Sequence, residues 1–152
     1  MMISWIDTNN PTATLTYSPA TATSGSVVVT LQANKILKAT PTGWTSAGNN
    51  SYTKTYTGIT TEQVLLTDTA NNTGTVEVNI RRIDTTAPVA TNVSYTPDAQ
   101  TPTNGSVEVT LTVSESIQPP LGWSKLSDTS YAKVFSHNTG LTVTFYDLVG
   151  NE

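Results

Sequence analysis

Oxygen-bearing side chains occupy most of the places where this chain could do chemistry. Asp84, Glu115, Asp147 and Asn151 stand in the stretches IDTTAPVA (83–90), SVEVTLTVSESI (106–117) and DLVGN (147–151). Carboxylates and a carboxamide drawn from separate loops are the ligands that a calcium ion takes. Each also has a purely structural reading: D-x-x-G-N closes a hairpin without metal, and Asp before Thr-Thr caps a turn. A second set lies in SYTKTYT (51–57), where Lys54 shares a strand face with its flanking tyrosines. If that face points inward, the ammonium needs a partner, because burying it alone costs several kcal/mol. A Lys–Asn isopeptide cross-link would supply one, with Asn79 and Glu77 as candidates. The plainer expectation is that the aromatics pack on an outer or edge face and Lys54 snorkels to water.

Catalytic chemistry finds little to work with. His137 is the only histidine, in the turn-like SHNTG, and there is no cysteine to supply a thiolate or a disulfide. Neither an HExxH, a P-loop nor a GxGxxG motif occurs, so no enzyme is expected and no cofactor other than calcium. Charged residues make up 12% of the chain and the net charge is −4. That is the wrong sign for neutralising nucleic-acid phosphates or gripping anionic lipid, so neither partner is expected. No apolar run approaches the roughly 20 residues of a membrane-spanning helix. The opening MMISWIDT has no basic start and no apolar core of a signal peptide. The chain is therefore expected to be an excerpt of a longer exported protein, extracellular, surface-bound or secreted, with signal and anchor elsewhere.

The elements that must position these residues are strands. Threonine supplies 31 of the 152 residues, a β-branched side chain suited to the solvent face of a sheet. ATLTYS, SVVVTLQA, SYTKTYT, EQVLLTD and TVEVNIRR alternate apolar with polar at period two and are bounded by Gly, Pro and Asn. No stretch shows sustained helical spacing. The pattern also occurs twice. IDTNNPTA (6–13) returns as IDTTAPVA, SGSVVVTLQANKIL (24–37) as NGSVEVTLTVSESI (104–117), and SYTK (51–54) as SYAK (130–133). GW at 43–44 returns at 122–123, and VLLTDTANN (64–72) as VTFYDLVGN (143–151), with offsets of 77 to 80 residues. A tandem repeat is the reading of that series.

The joint IDTTAP, the run NGSVEVTLTVSESI, the GW pair and the closing DLVGN together resemble the tandem bacterial immunoglobulin-like repeats of surface proteins and adhesins. The resemblance covers nearly the whole chain. It implies an all-β fold of two tandem antiparallel Ig-like β-sandwiches in an elongated arrangement, stalk-like and without catalytic activity. Residues 1–6 would be the remnant of a preceding repeat, 7–83 the first domain and 84–152 the second. Neighbouring repeats of the same chain would be its first partners. The function expected is a structural spacer, and the alternative is a module that itself contacts glycan or host protein. Trp44 and Trp123 are the expected core aromatics, with a solvent-facing sugar platform as the rival role.

Sandwich topology brings the turn after SVEVTLTV and the DLVGN turn to the linker pole, which is why Asp84, Glu115, Asp147 and Asn151 are grouped. The first repeat suits calcium less, because Lys35 stands where the second has Glu115. Asn71 stands for Gly150, a mild change because Asn tolerates left-handed backbone. Pro11 and Pro88 fix their own φ and bias the preceding residue toward extended backbone, so the joints are expected to be stiff. The second repeat reaches DLVGNE without the counterpart of TGTVEVNIRR and is expected to lack its last strand. An open sheet edge would invite strand exchange with another copy, residues 2–7 being one donor, while Ile3–Trp5 reads as the end of an earlier strand.

Overall fold

The computed structural model describes residues 6–98 and 100–152. The expectations for residues 1–5, including the strand end at Ile3–Trp5 and the start of the donor segment 2–7, lie outside the described residues. Among the described residues every regular element is a β-strand, in keeping with the period-two alternation, and no helix is long and apolar enough to cross a membrane. The chain forms two compact units, Met1–Asp84 and Thr85–Glu152.

In the first unit β1 (Ala13–Ser18), β2 (Val27–Ala33), β3 (Thr45–Gly48) and β4 (Ser51–Tyr56) make an antiparallel sheet ordered β1-β2-β4-β3. A second, two-stranded antiparallel sheet joins β5 (Thr60–Thr67) to β6 (Thr73–Ile80), in register from Thr60↔Ile80 to Thr67↔Thr73. Alternation decides what each strand buries. Val27, Val29, Leu31 and Ala33 of β2, Val64 and Leu66 of β5, and Val78 and Ile80 of β6 point into one core. Their neighbours Val28, Leu65 and Glu77 face outward. Tyr52, Tyr56 and Trp44 complete the core, the last two meeting edge to face at 6.5 Å between ring centres. The two layers sharing one interior make the unit consistent with a β-sandwich.

The second unit repeats the order of the first four strands. β7 (Ala90–Thr96), β8 (Val107–Val113), β9 (Ser124–Ser127) and β10 (Ser130–Phe135) form a sheet ordered β7-β8-β10-β9. Among the described residues it has no second sheet: residues 138–146 join no ladder, and only Asp147 makes an isolated bridge, to Ile117. Its buried cluster is correspondingly small, Leu111, Val113, Ile117 and Tyr131, with Trp123 and Phe145 packed against it. Tyr131 anchors that cluster. Its hydroxyl accepts from the Ile117 N–H (3.3 Å) and reaches the carbonyls of Ile117 (3.0 Å) and Asp128 (3.1 Å). Tyr131→Phe orphans a buried amide and should cost the second unit about 1–3 kcal/mol in a urea titration. A loss under about 0.5 kcal/mol would show that water satisfies Ile117 as well as the phenol does.

Candidate functional site

The loops at one pole of the first unit converge on a single ammonium. Lys35 follows β2, whose C-terminal end lies beside the start of β1 through the Ala13↔Ala33 pairing. Asp68 follows β5, and its backbone bridges Leu37. Asp7 arrives from the segment before β1. The Lys35 Nζ donates to both carboxylate oxygens of Asp7 (2.9 and 2.8 Å), to Asp68 Oδ2 (3.2 Å) and to the Asn9 carbonyl. Asn72 ties the same group together, its Nδ2 donating to the Asp7 carbonyl (3.0 Å) and to Asp68 Oδ2 (3.0 Å). Asp68 is buried, and its Oδ1 takes the amides of Ala70 and Asn72, each at 2.9 Å. This is the Asx-turn geometry that D-x-x-N encodes, and it needs left-handed backbone at Asn71 (φ 69°).

Electrostatics follow from that geometry. The Lys35 hydrogen bond holds the Asp7 carboxyl below the usual carboxylate range. The Asn72 amide, aided by backbone N–H groups and Lys35, does the same for Asp68 against the opposing effect of desolvation. Asp7 in turn raises Lys35 above an ordinary lysine. Depressed carboxylates stabilise the fold above their unfolded pKa, near 3.8, and lose that contribution as the pH falls through the folded values. The raised lysine contributes fully below 10.5 and loses its share as the pH rises beyond it. The urea midpoint of the first unit should therefore be flat from about pH 5 to 10 and fall on both sides. Lys35→Met should lower the plateau and shrink the alkaline limb, leaving the part due to Tyr56, whose hydroxyl burial and Glu62 hold well above the ordinary phenol range. An unchanged alkaline limb would show that Lys35 carries no such linkage.

In the second unit the same turn recurs around Asp147, which is buried. Its Oδ1 accepts from the amides of Val149 (2.9 Å) and Asn151 (2.8 Å), and its Oδ2 from Asn151 Nδ2 (2.7 Å). Burial pushes its carboxyl up, but these hydrogen bonds prevail and its pKa lies below the ordinary value. Gly150 takes the left-handed position at φ 95°. Glu115 is half-buried and lies close by, with carboxylate oxygens of Glu115 and Asp147 within 4.8 Å. Asp84 closes the first unit, where its amide donates to the Thr23 carbonyl (2.8 Å). Pro11 and Pro88 are both buried.

Lys54 is where the structure corrects the sequence reading. Tyr52 and Tyr56 are 7% and 6% exposed, so their face of β4 is the inner one and not an outer or edge face. Lys54 lies between them, half-buried, and finds its counter-ion on the next strand: Nζ to Glu62 Oε2 is 2.7 Å, and the Tyr56 hydroxyl donates to the same oxygen at 2.8 Å. Burial, opposed and outweighed by these two hydrogen bonds, leaves Glu62 below its usual pKa. The isopeptide group of Lys54, Asn79 and Glu77 is not assembled. Asn79 accepts from Arg81 Nε (2.9 Å) and Glu77 from Gln63 (2.7 Å). β6 points both outward because Val78 and Ile80 take its inner face. Glu62 was open to detection, since EQVLLT places it on the Val64–Leu66 face at period two. Trp44 is buried at 6% exposure, whereas Trp123 is only half-buried and lines a cleft of about 660 Å³ with apolar and polar walls.

Comparison with protein-family models, with curated proteins and with solved structures found no match.

Proposed function

We propose that the chain is a non-catalytic spacer, two Ig-like repeats from the stalk of a bacterial surface or secreted, adhesin-like protein that works outside the cell. The observation that carries this reading is how the first unit holds its own ends. The entry phrase is fixed at one pole by the Lys35–Asp7–Asn72 cluster and by the exchange of Thr12 and Asn34, whose two hydrogen bonds measure 2.8 and 3.0 Å. The exit phrase is fixed at the other pole, where Thr23 bridges Ile83, accepts from the Asp84 amide and donates to the Arg82 carbonyl (2.9 Å). Arg82 also stacks over Tyr17 at 4.7 Å. A unit whose entry and exit are bonded at opposite poles passes tension along its length instead of fraying, which is what a spacer must do. Pulling the chain by handles at residues 7 and 84 tests it. One cooperative rupture is expected, at lower force in Lys35→Ala; gradual unravelling from either end would sink the reading.

Calcium at Asp84, Glu115, Asp147 and Asn151 belongs to the same proposal. Two carboxylate oxygens within 4.8 Å can share one calcium at ordinary bond lengths of about 2.3–2.6 Å. The aligned position of Glu115 in the first unit is Lys35, whose ammonium lies among Asp7, Asp68 and the Asn9 carbonyl. Sequence correspondence adds Asp84 as the counterpart of Asp7. Calcium should then raise the melting temperature of the second unit in wild type but not in Glu115→Lys. Equal responses in both would remove calcium from the proposal.

The alternative, a module that contacts glycan or host protein directly, draws on the half-buried Trp123 beside Tyr95, which is 45% exposed. A shift of Trp123 fluorescence on titrating a glycan that also binds the intact chain would favour it.

A further inference from the structure

The cleft in the second unit is lined by residues that have buried counterparts in the first. Val27 and Val29 are completely buried, while the aligned Val107 and Val109 are half-exposed on the cleft wall. Tyr56 is 6% exposed, and the aligned Phe135 is half-exposed. Val64 and Leu66 of β5 are buried, and the aligned Val143 and Phe145 again only half so. Side-chain type is conserved at these positions between the two halves, so chemistry does not account for the difference. What differs is cover. In the first unit β6 pairs along all of β5 and sends Val76, Val78 and Ile80 into the core. In the second, the backbone of residues 141–146, aligned with β5, pairs with no strand among the described residues. Leu141 and Tyr146 are 52% and 41% exposed.

We propose that this cleft is a strand-acceptor groove whose occupant is an extended polypeptide of the β6 type, with branched aliphatic side chains at three alternate positions. It would lie antiparallel to Leu141–Tyr146. The first unit shows the fit directly. Backbone N–H and C=O groups of the incoming strand satisfy the open edge of 141–146, and alternate side chains fill the space above Val107, Val109, Trp123 and Phe135. Affinity comes from the main-chain ladder and selectivity from the alternate pockets, so polar residues at the three inward positions are rejected. The groove is apolar where the inward side chains go, with Val93, Leu111 and Phe145 also on its walls, and it carries the cation of Lys133 at its side, 5.6 Å from the Phe135 ring centre.

The probe is the synthetic peptide TGTVEVNIRR, residues 73–82, added to the full chain. Saturable binding is expected, with a blue shift of Trp123 emission and new hydrogen-exchange protection of amides 141–146. The same peptide with Asp in place of the Val78 and Ile80 residues should bind at least tenfold more weakly. A second arm guards against a peptide that merely aggregates: residues 74–82 (GTVEVNIRR) are appended after Glu152, which stands at the position of Thr73 so that the branched side chains keep their inward register. This should raise the second unit's melting temperature and protect the same amides. No effect in either arm overturns the proposal. So does a concentration-dependent dimer that protects 141–146 and is not dissociated by the peptide, because the occupant is then a second copy of the chain.

Discussion

Replacing Ile80 by Asp should open the first unit. Ile80 is completely buried and sits at the end of β6, opposite Thr60 of β5. The substitution forfeits about 1.5–3 kcal/mol of apolar burial. It also places a carboxylate in the apolar core, a further cost of several kcal/mol unless the strand leaves it. Together these approach the lower end of the roughly 5–15 kcal/mol that hold a small domain folded. Either the unit unfolds or β6 is expelled and the core is uncovered, and both move Trp44 emission to the red. Leu65→Asp is the matched control: it lies on neighbouring β5 but faces solvent at 61% exposure, so its effect should stay within about 0.5 kcal/mol. If Ile80→Asp were tolerated as well as Leu65→Asp, β6 would not be what closes the core, and the acceptor groove would lose its template.

Gly74→Ala should detach the entry phrase from the unit. A Cβ built on Gly74 would meet the Pro11 carbonyl oxygen at 2.1 Å, a backbone atom that cannot swing aside. Overpacking of this kind costs about 1–3 kcal/mol, and here the strain is relieved only by moving Pro11 or the start of β6. Pro11 leads into the Thr12–Asn34 exchange and the Lys35 cluster, so the loss should appear there. Amides of Thr12 and Asn34 are expected to exchange faster, while those of Val78 and Ile80 change little. Gly58→Ala, with nothing within 4 Å of its added Cβ, should leave both sets unchanged. Uniform loss of protection throughout the unit in Gly74→Ala would show that the phrase is not a separable clamp.

Much of the strand content was legible because alternation is a local property. ATLTYS, VVVTLQA and the β5 and β6 runs carry their inward and outward sides in the order of their residues, and a strand needs nothing else to be recognised. The turn at Asp68 was equally local: an Asx side chain reaches amides two and four residues on, and the Asn71/Gly150 exchange marks the left-handed position in both halves. Lys54 was harder. Its strand was plain, but whether SYTKTY turned its tyrosines inward depended on which layer covered them, and its counter-ion came from the following strand. In the sequence Lys35 stands as an obstacle to a metal, yet in the folded unit it is itself the cation on which Asp7 and Asp68 converge.

The two tryptophans show the division most clearly. Each follows a glycine with positive φ, and each donates its backbone N–H to a proline carbonyl three residues before it, at 3.0 Å in both units. The sequence alone determined that much: the β-strands, the alternation of their two faces, the turn geometry and two halves written in one pattern. Only the tertiary structure decided that Trp44 is enclosed and Trp123 borders an open groove. Burial is not a property of a residue or its neighbours in sequence; it depends on a second layer arriving from elsewhere in the chain. β6 provides that layer over the first sheet, and no described strand does so over the second.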